Sequence, residues 1–337
     1  MFKALVAYPG GKRRLLGAIF KYLPPVDEAP VFVDAFIGGG AVSLYAKARG
    51  FKVVANDCAF RAEIVGRGLI ENSHVRLEYD DLVRLSMPVD ERGYAEAHLA
   101  PDVFPVHHAR YLDTFLANAR QLEGAKRWLA FLLIVKYALR LRPMGNFGGV
   151  KVLHQAAAGE WERMNQNYTK DIIQRGLPRH PIRVAEIIRG HINSGVISNG
   201  HQNEVHKADV FEFLSTAEGD ICYMDPPYSG TQSYERALKP LDDLLRGGPP
   251  DKKPPPNPFS KEPPERILPR LFEAADHIPT LILSYGNQRI DLEGIITIMK
   301  RFRPNVEGQA VDYVHCTGLA GKESRSRNQE LIVVGRK

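Results

Sequence analysis

The stretch VFVDAFIGGGAVSLYAKARG, residues 31–50, decides how the chain folds. It opens on a short apolar run, passes through three consecutive glycines, and continues as a helical pattern that stops at Gly50. A strand that turns on glycine and feeds directly into a helix is the first half of a βαβ unit. Glycine allows the backbone to come close to a ligand, and the helix that follows presents N–H groups that suit a carboxylate or phosphate.

Outward from this unit the same grammar recurs. Further strand-like runs are KVVAND (52–57), GVISN with VHKADV (195–210), DICYMD (220–225), TLILSYG (280–286), AVDYVHCTG (310–318) and ELIVVG (330–335). They are short and mostly Val/Ile-rich, as parallel strands buried on both faces are. Helical patterns lie between them, in KRRLLGAIFKYL, GAVSLYAKARG and ERILPRLFEAADHI. The alternation predicts an α/β fold, a doubly wound and mostly parallel sheet with right-handed crossovers. The last two runs are joined by a short polar stretch, which predicts an antiparallel hairpin at the sheet edge.

From about residue 60 to 180 the alternation lapses into helical stretches such as RAEIVGRGLIENS and AKRWLAFLLIVKYALRLR, which predicts an inserted, mainly helical domain over 61–180. The catalytic domain is then discontinuous, comprising 1–60 and 181–337. Within it, nine prolines between Pro240 and Pro264 predict an irregular or polyproline-like loop over 239–265.

The chain has 337 residues, 44% of them hydrophobic and 25% charged, enough for one large α/β domain with an insertion. No apolar run reaches the roughly 18 residues of a membrane helix, and the N-terminus lacks the pattern of a signal peptide, so a cytoplasmic protein is expected. Cys58, Cys222 and Cys316 are isolated, which argues against a zinc site or a disulfide framework. The net charge is +6, and the segment from His107 to Lys151 holds eight basic residues against Asp113 and Glu123. A basic, aromatic-bearing segment suits a polyanion such as nucleic acid, although a helix with a solvated basic face explains the charge about as well.

In a doubly wound sheet, ligands bind beyond the carboxyl ends of the strands. Asp34 and the turn Gly38, Gly39 and Gly40 fall at the first such end, Asp57 at the second, Asp209 near the third and Asp225 at the fourth. A glycine turn with an acid able to hold two ribose hydroxyls points to a nucleoside-containing cofactor. A nicotinamide enzyme shares those features, but the third glycine of G-x-G-x-x-G would fall at Ser43, and no Gly-Lys-Ser/Thr completes a phosphate loop.

Asp225-Pro226-Pro227-Tyr228 is more specific, since chance would place this tetrapeptide in about one chain in a thousand of this length. Two prolines end a sheet ladder, and an acid in a turn is ordinary. The chemical reading concerns an exocyclic amine whose lone pair is delocalised into a ring. Ionised Asp225 accepts one amine hydrogen and the Pro226 carbonyl the other, drawing the nitrogen toward tetrahedral geometry and freeing its lone pair. The prolines fix φ, so these acceptors are pre-placed, and Tyr228 offers a ring face for an unstacked base.

This set of motifs resembles the Dam-like, alpha-group (D12 class) adenine-N6 DNA methyltransferases, in that family's order. YPGGKRRLL (8–16) is similar to its N-terminal cofactor motif, FVDAFIGGGAVSL to its glycine motif, ANDCAF to its acidic motif, ADVFEFL to its adenine-side motif, and DPPY to its catalytic motif. ILSYG and SRNQELIVVG also match. Ala35 stands where the family usually has proline, Ala59 where it has asparagine, and Val210 where it has phenylalanine.

The resemblance implies a seven-stranded Rossmann-like methyltransferase sheet and S-adenosylmethionine as cofactor. Tyr8 and Lys12 would lie near the methionine end, and Asp34, Phe36 and Gly38 to Gly40 around the amino acid moiety. Asp57 would take the ribose and Asp209 the adenine. Asp225, Pro226, Pro227 and Tyr228 would hold the target base, and the insertion would read the target. Arg140, Arg142, Asn146 and Lys151 are the DNA-binding candidates, with Arg13 and Arg14 beside Lys12 and with Phe147 after Asn146.

The expected activity is therefore site-specific methylation of adenine N6, on a base flipped out of double-stranded DNA, with no metal and by a monomer or weak dimer. Cytosine N4 or RNA adenine is the alternative within the same chemistry. An NAD-dependent oxidoreductase or an inactive DNA-binding relative is the remote one. The host would be a prokaryote or a phage-infected cell.

Overall fold

The computed structural model describes residues 1–6, 11–90, 92–141, 180–229, 238–252, 257–312 and 329–337. Tyr8, Arg142, Asn146, Phe147, Lys151 and Cys316 lie outside the described residues. In chain order the elements are α1 (Leu16–Phe20), β1 (Val31–Asp34), α2 (Ala41–Ala48), β2 (Lys52–Asn56), α3 (Phe60–Val65), α4 (Tyr79–Leu85), α5 (Val106–Ala119), α6 (Gly124–Arg140), α7 (Pro181–Asn193), β3 (Glu204–His206), α8 (Val210–Leu214) and β4 (Ile221–Met224). They continue as α9 (Lys239–Arg246), α10 (Pro258–Lys261), α11 (Pro264–Ala274), β5 (Thr280–Gly286), α12 (Leu292–Met299), β6 (Asn305–Asp312) and β7 (Gln329–Arg336).

The described strands form one seven-stranded sheet in the order β3-β2-β1-β4-β5-β7-β6. β1 to β5 run parallel. β7 is antiparallel to both β5 and β6. The α/β sheet expected from the alternation is present, and the final antiparallel pair stands at its edge. Continuous apolar runs become central strands: every residue of β5 is buried, and so are six successive residues of β7. β6 at the rim alternates between exposed and half-buried positions instead.

Side-chain alternation divides the sheet into two faces. One carries Val33, Cys222, Met224, Leu281, Leu283 and Val333, packed against Ile267, Leu268, Leu271 and Phe272 of α11. On the other, Phe32 lies between the rings of Phe20 and Tyr223, at centroid distances of 5.7 and 6.4 Å. Cys222 is wholly buried, and burial drives its thiol pKa well up, as expected of a core cysteine.

Two expectations need correction. The run from Gly195 to Val210 yields only the three-residue β3. Two asparagines take over the hydrogen bonds that a longer strand would have made to β2: Asn203 Oδ1 accepts from the Val53 N–H at 2.9 Å, and Asn199 Nδ2 donates to the Phe51 carbonyl at 2.7 Å. The proline-rich stretch 239–265 is not a loop throughout. Pro240 sits in the first turn of α9, Pro258 and Pro264 open α10 and α11, and Gly247, with φ +89°, closes α9. Proline lacks only a donor that the first helical turn leaves unused, so such prolines start helices rather than forbid them. The buried face of α9, with Leu241, Leu244 and Leu245, makes it a packed element.

The contacts group the chain into two compact units. One comprises Met1–Ala7, Arg67–Ile197 and Gln232–Pro254, and the other Tyr8–Gly66, Ser198–Thr231 and Pro255–Lys337. The second holds the whole sheet. In the first, α5 and α6 pack through Phe115 and Tyr137, whose rings meet edge to face at 6.2 Å, and Tyr137 Oη lies 2.6 Å from His108 Nδ1. Among the described residues no helix is long and apolar enough to cross a membrane.

Candidate active site

Strand order reverses at β1: β2 and β3 extend on one side of it, β4 and β5 on the other. The crevice for a ligand therefore opens beyond the carboxyl ends of β1 and β4. Asp34 is the last residue of β1, and Asp225 follows the last residue of β4. The two ends stay tied beyond the ladder, because the Ala35 N–H donates to the Tyr223 carbonyl at 3.0 Å.

After Asp34 the chain turns through Gly38 and Gly40, at φ +50° and +76°. The nearest atom to a Cβ on Gly38 would be 4.0 Å away, so the left-handed backbone, not crowding, requires glycine there. The Gly40 N–H closes the turn on the Ile37 carbonyl at 2.7 Å, and Gly40 caps α2.

Asp34, Asp57 and Asp209 each accept from backbone N–H groups close in sequence or in the glycine turn. Asp34 is buried beneath the turn, accepting from Ser43 Oγ at 2.5 Å and from the Phe36 N–H at 3.2 Å. Burial pushes its pKa up to about 7 against those hydrogen bonds, and the nearby charges of Asp225 and Asp57 raise it further. Asp57 follows β2 and accepts from the Gly38 N–H and the Ala59 N–H, both at 2.9 Å, so its carboxylate is fastened to the glycine turn. Asp209 caps α8, its Oδ1 accepting from the Phe211 and Glu212 N–H groups at 2.8 and 3.4 Å.

The Asn56 amide brackets Ala208, accepting from its N–H at 3.0 Å and donating to its carbonyl at 3.3 Å, which joins the ends of β2 and β3. Phe36 is half-buried and meets Phe259 edge to face at 5.4 Å. Phe259 in turn stacks on Phe211, over which the Arg270 guanidinium lies at 4.9 Å.

Around Asp225 three side chains converge, Lys12 and Glu330 from distant parts of the chain and Tyr228 from its own loop. Lys12, only 5% exposed, places Nζ 2.9 Å from Asp225 Oδ1 and 3.4 Å from Glu330 Oε1. The Tyr228 hydroxyl lies 3.3 Å from Asp225 Oδ1 and 2.5 Å from Glu330 Oε1. A Cβ on Gly286 would sit 2.8 Å from Tyr228 Cδ2, so the bare glycine at the end of β5 admits the ring. Lys12 Nζ is 5.3 Å from the same ring's centroid, within range of a cation–π contact.

The Ser229 N–H donates to Tyr285 Oη at 3.2 Å and fixes the chain beyond the tetrapeptide. Pro226 is buried and Pro227 half-buried. Burial raises the Asp225 pKa to about 6; the Lys12 ammonium opposes that rise and the Glu330 carboxylate adds to it. At neutral pH the carboxylate is mostly ionised.

Lys12, Asp34, Phe36, Gly38, Gly39, Gly40, Asp57, Asp209 and the segment from Asp225 to Tyr228 thus all belong to the unit that holds the sheet, most of them at its carboxyl edge. Arg140 belongs to the other unit, at the end of α6. The basic excess of that segment is partly engaged internally. Arg110 pairs with Glu96 and Lys126 with Asp81, each at 2.8 Å; Arg120 donates to the Leu245 carbonyl; and Lys136 donates to the carbonyls of Lys3 and Leu5.

Glu330, Ser43 and Asn56 are absent from the sequence-based expectations. Glu330 left a signal, as a single acid in an otherwise apolar strand run. Ser43 and Asn56 left none, because small polar residues at element ends are common.

Known proteins bear on this geometry. A family model described as D12 class N6 adenine-specific DNA methyltransferase matches residues 8–131. The type II methyltransferase M2.HphI of Haemophilus parahaemolyticus is 27% identical over 338 residues, covering 97% of this chain and 96% of its own length. The type II methyltransferase M.FokI of Planomicrobium okeanokoites is 22% identical over 227 residues, covering 61% of this chain and 31% of its own. The family model covers the glycine turn but ends before Asp225, whereas the span aligned with M2.HphI takes in both. With that turn beside Asp225-Pro226-Pro227-Tyr228 on a sheet of this order, these likenesses support a D12-class N6 adenine-specific DNA methyltransferase.

Proposed function

We propose that the methyl donor is S-adenosylmethionine and that the acceptor is the N6 amine of an adenine swung out of double-stranded DNA. The residues at the crevice fit such a donor. The φ-positive turn at Gly38 and Gly40 and the N-terminus of α2 suit its carboxylate. Asp34 and Asp57 give that part of the crevice negative charge that suits its ammonium and sulfonium groups. Asp57, already fastened to Gly38, would hold the ribose diol, and Asp209 would take the adenine amine. Asp34, enclosed by Ser43 and Phe36, would act by bracing the turn. When bound, the cofactor supplies an electrophilic methyl group.

The chain's own residues then prepare the nucleophile. Asp225 and the Pro226 carbonyl each accept one hydrogen of the amine, withdrawing its lone pair from the ring. The Tyr228 ring lines the place of the base. Flipping costs a few kcal/mol, which contacts to the DNA backbone offset. Recognition of the target would fall to the helical unit with Arg140, and to Arg142, Asn146 and Lys151.

The observation that carries this reading is the acid at the end of β4, paired with a buried lysine, at the edge of the sheet that also bears the glycine turn. The test is expression in a methylation-free host followed by genome-wide mapping of modified bases. N6-methyladenine at one recurrent sequence is expected, and Asp225→Ala should abolish it with donor affinity largely unchanged. Methylation of cytosine N4, or full activity in Asp225→Ala, would overturn the assignment.

A further inference from the structure

Beyond the groups that would touch base and donor, one buried acid stands in direct contact with them. Glu330 lies in β7 with its side chain fully enclosed, in register with Gly286 of β5. Its Oε1 accepts from the Tyr228 hydroxyl at 2.5 Å and lies 3.4 Å from Lys12 Nζ. Both Lys12 and Tyr228 approach Asp225 as well, and both do so at Oδ1.

We propose that Glu330 is a positioning residue for methyl transfer: it takes the Tyr228 hydroxyl and shares the Lys12 ammonium, so that the described residues grip Asp225 through Oδ1 and leave Oδ2 to the substrate amine. This rests on the reading of Asp225 as the acceptor of an amine hydrogen.

The distances support that division. The hydroxyl is 0.8 Å nearer Glu330 than Asp225, so its proton goes mainly to Glu330. An acceptor already saturated by a cation and a phenol would draw weakly on an amine, whereas one held on a single oxygen keeps its other lone pairs. Among the described residues, the charged and titratable groups around Asp225 are Lys12 from the N-terminal turn, Tyr228 from its own loop, Glu330 from β7, Tyr223 from β4 and Asp34 from β1.

Removing the charge of Glu330 has one sign through every path. A nearby negative charge is lost, the share of the Lys12 ammonium that Glu330 held turns to Asp225, and the Tyr228 proton is released toward it. Each change favours ionised Asp225.

The experiment is single-turnover transfer of tritiated methyl from S-adenosylmethionine to DNA purified from a methylation-free host, followed from pH 5 to 9. In the unaltered enzyme the rate should fall below about pH 6. Glu330→Gln should move that acid limb to lower pH by about half a unit or more and lower the plateau roughly tenfold. Its affinity for the donor should stay within about twofold, because the residue acts on the base side. Glu330→Asp, which keeps the charge, should leave the limb in place while lowering the plateau.

If Glu330→Gln does not fold, Glu330→Met fills the buried site with an apolar chain of similar length and carries the same shift. A limb that stays in place in the neutral variant, or moves upward, would overturn the role of Glu330, even if the plateau drops. Activity surviving in Asp225→Ala would instead overturn the reading beneath it.

Discussion

Asp34 and Asp225 illustrate what burial does to a carboxylate that must work beside another. The folded protein raises the Asp34 pKa to about 7, from about 4 in an unfolded chain. A raised acid contributes stability that is full below pH 4 and is lost as pH rises through 7, because folding then confines a charge that water would otherwise solvate. Asp34→Asn keeps an acceptor for Ser43 or Phe36 and cannot ionise. Melting curves of the ligand-free protein from pH 4 to 8 should show the variant gaining on the native protein as pH rises. A difference independent of pH would show that Asp34 ionises freely in its site. Legibility differs sharply at this scale. Asp34, Gly38, Asp57 and Asp225 could be read because each stands at the end of an apolar run, where a doubly wound sheet places its ligands. Glu330 could not be assigned a role, because its partners Lys12 and Tyr228 are brought to it by strand order, which a single sequence does not encode locally.

Strands and helices were readable in proportion to how far their own side chains decide them. TLILSYG became β5 with the same limits, because every residue is buried and β-branched or aromatic side chains dominate neither face alone. GVISN failed because asparagine amides can replace a ladder, and the Pro240 region failed because proline breaks or starts a helix according to position. The insertion of β7 between β5 and β6 follows from pairing, not from pattern. What locks this part of the sheet is a buried arginine. Arg303, beyond the end of α12, pairs with Asp276 at 2.5 Å and donates to the carbonyls of Phe302, Ala275, Asp276 and Ile278 at 2.7 to 3.3 Å. It thereby satisfies the loop between α11 and β5 that nothing else among the described residues reaches so densely. Arg303→Met keeps the apolar stem but strands those carbonyls, and should cost about 3 kcal/mol, read as a lower urea midpoint at unchanged slope. A loss below about 1 kcal/mol would mean that water replaces the guanidinium.

Taken whole, the chain divides chemistry from charge. The unit that holds the sheet gathers acids at its crevice, whereas Lys3, Lys136 and Arg140 lie near enough together in the helical unit to hold the His191 pKa down, after burial itself. Acids at the crevice suit a cationic donor and repel phosphate, so the attraction for DNA has to come from elsewhere on the surface. Internal contacts of Arg110, Arg120, Lys126 and Lys136 reduce what the helical segment can offer. Arg140, at the end of α6, is the described residue among the DNA-binding candidates and the place to probe. The measurement is the affinity for unmodified duplex DNA between 50 and 200 mM salt, where each phosphate contact adds about one to the slope of log affinity against log salt. Arg140→Ala should reduce that slope by about one and weaken binding to all sequences alike, with affinity for S-adenosylmethionine unchanged. If affinity falls for the methylated sequence only, Arg140 reads a base rather than a phosphate, and if neither slope nor affinity changes, the DNA lies against another face of the unit.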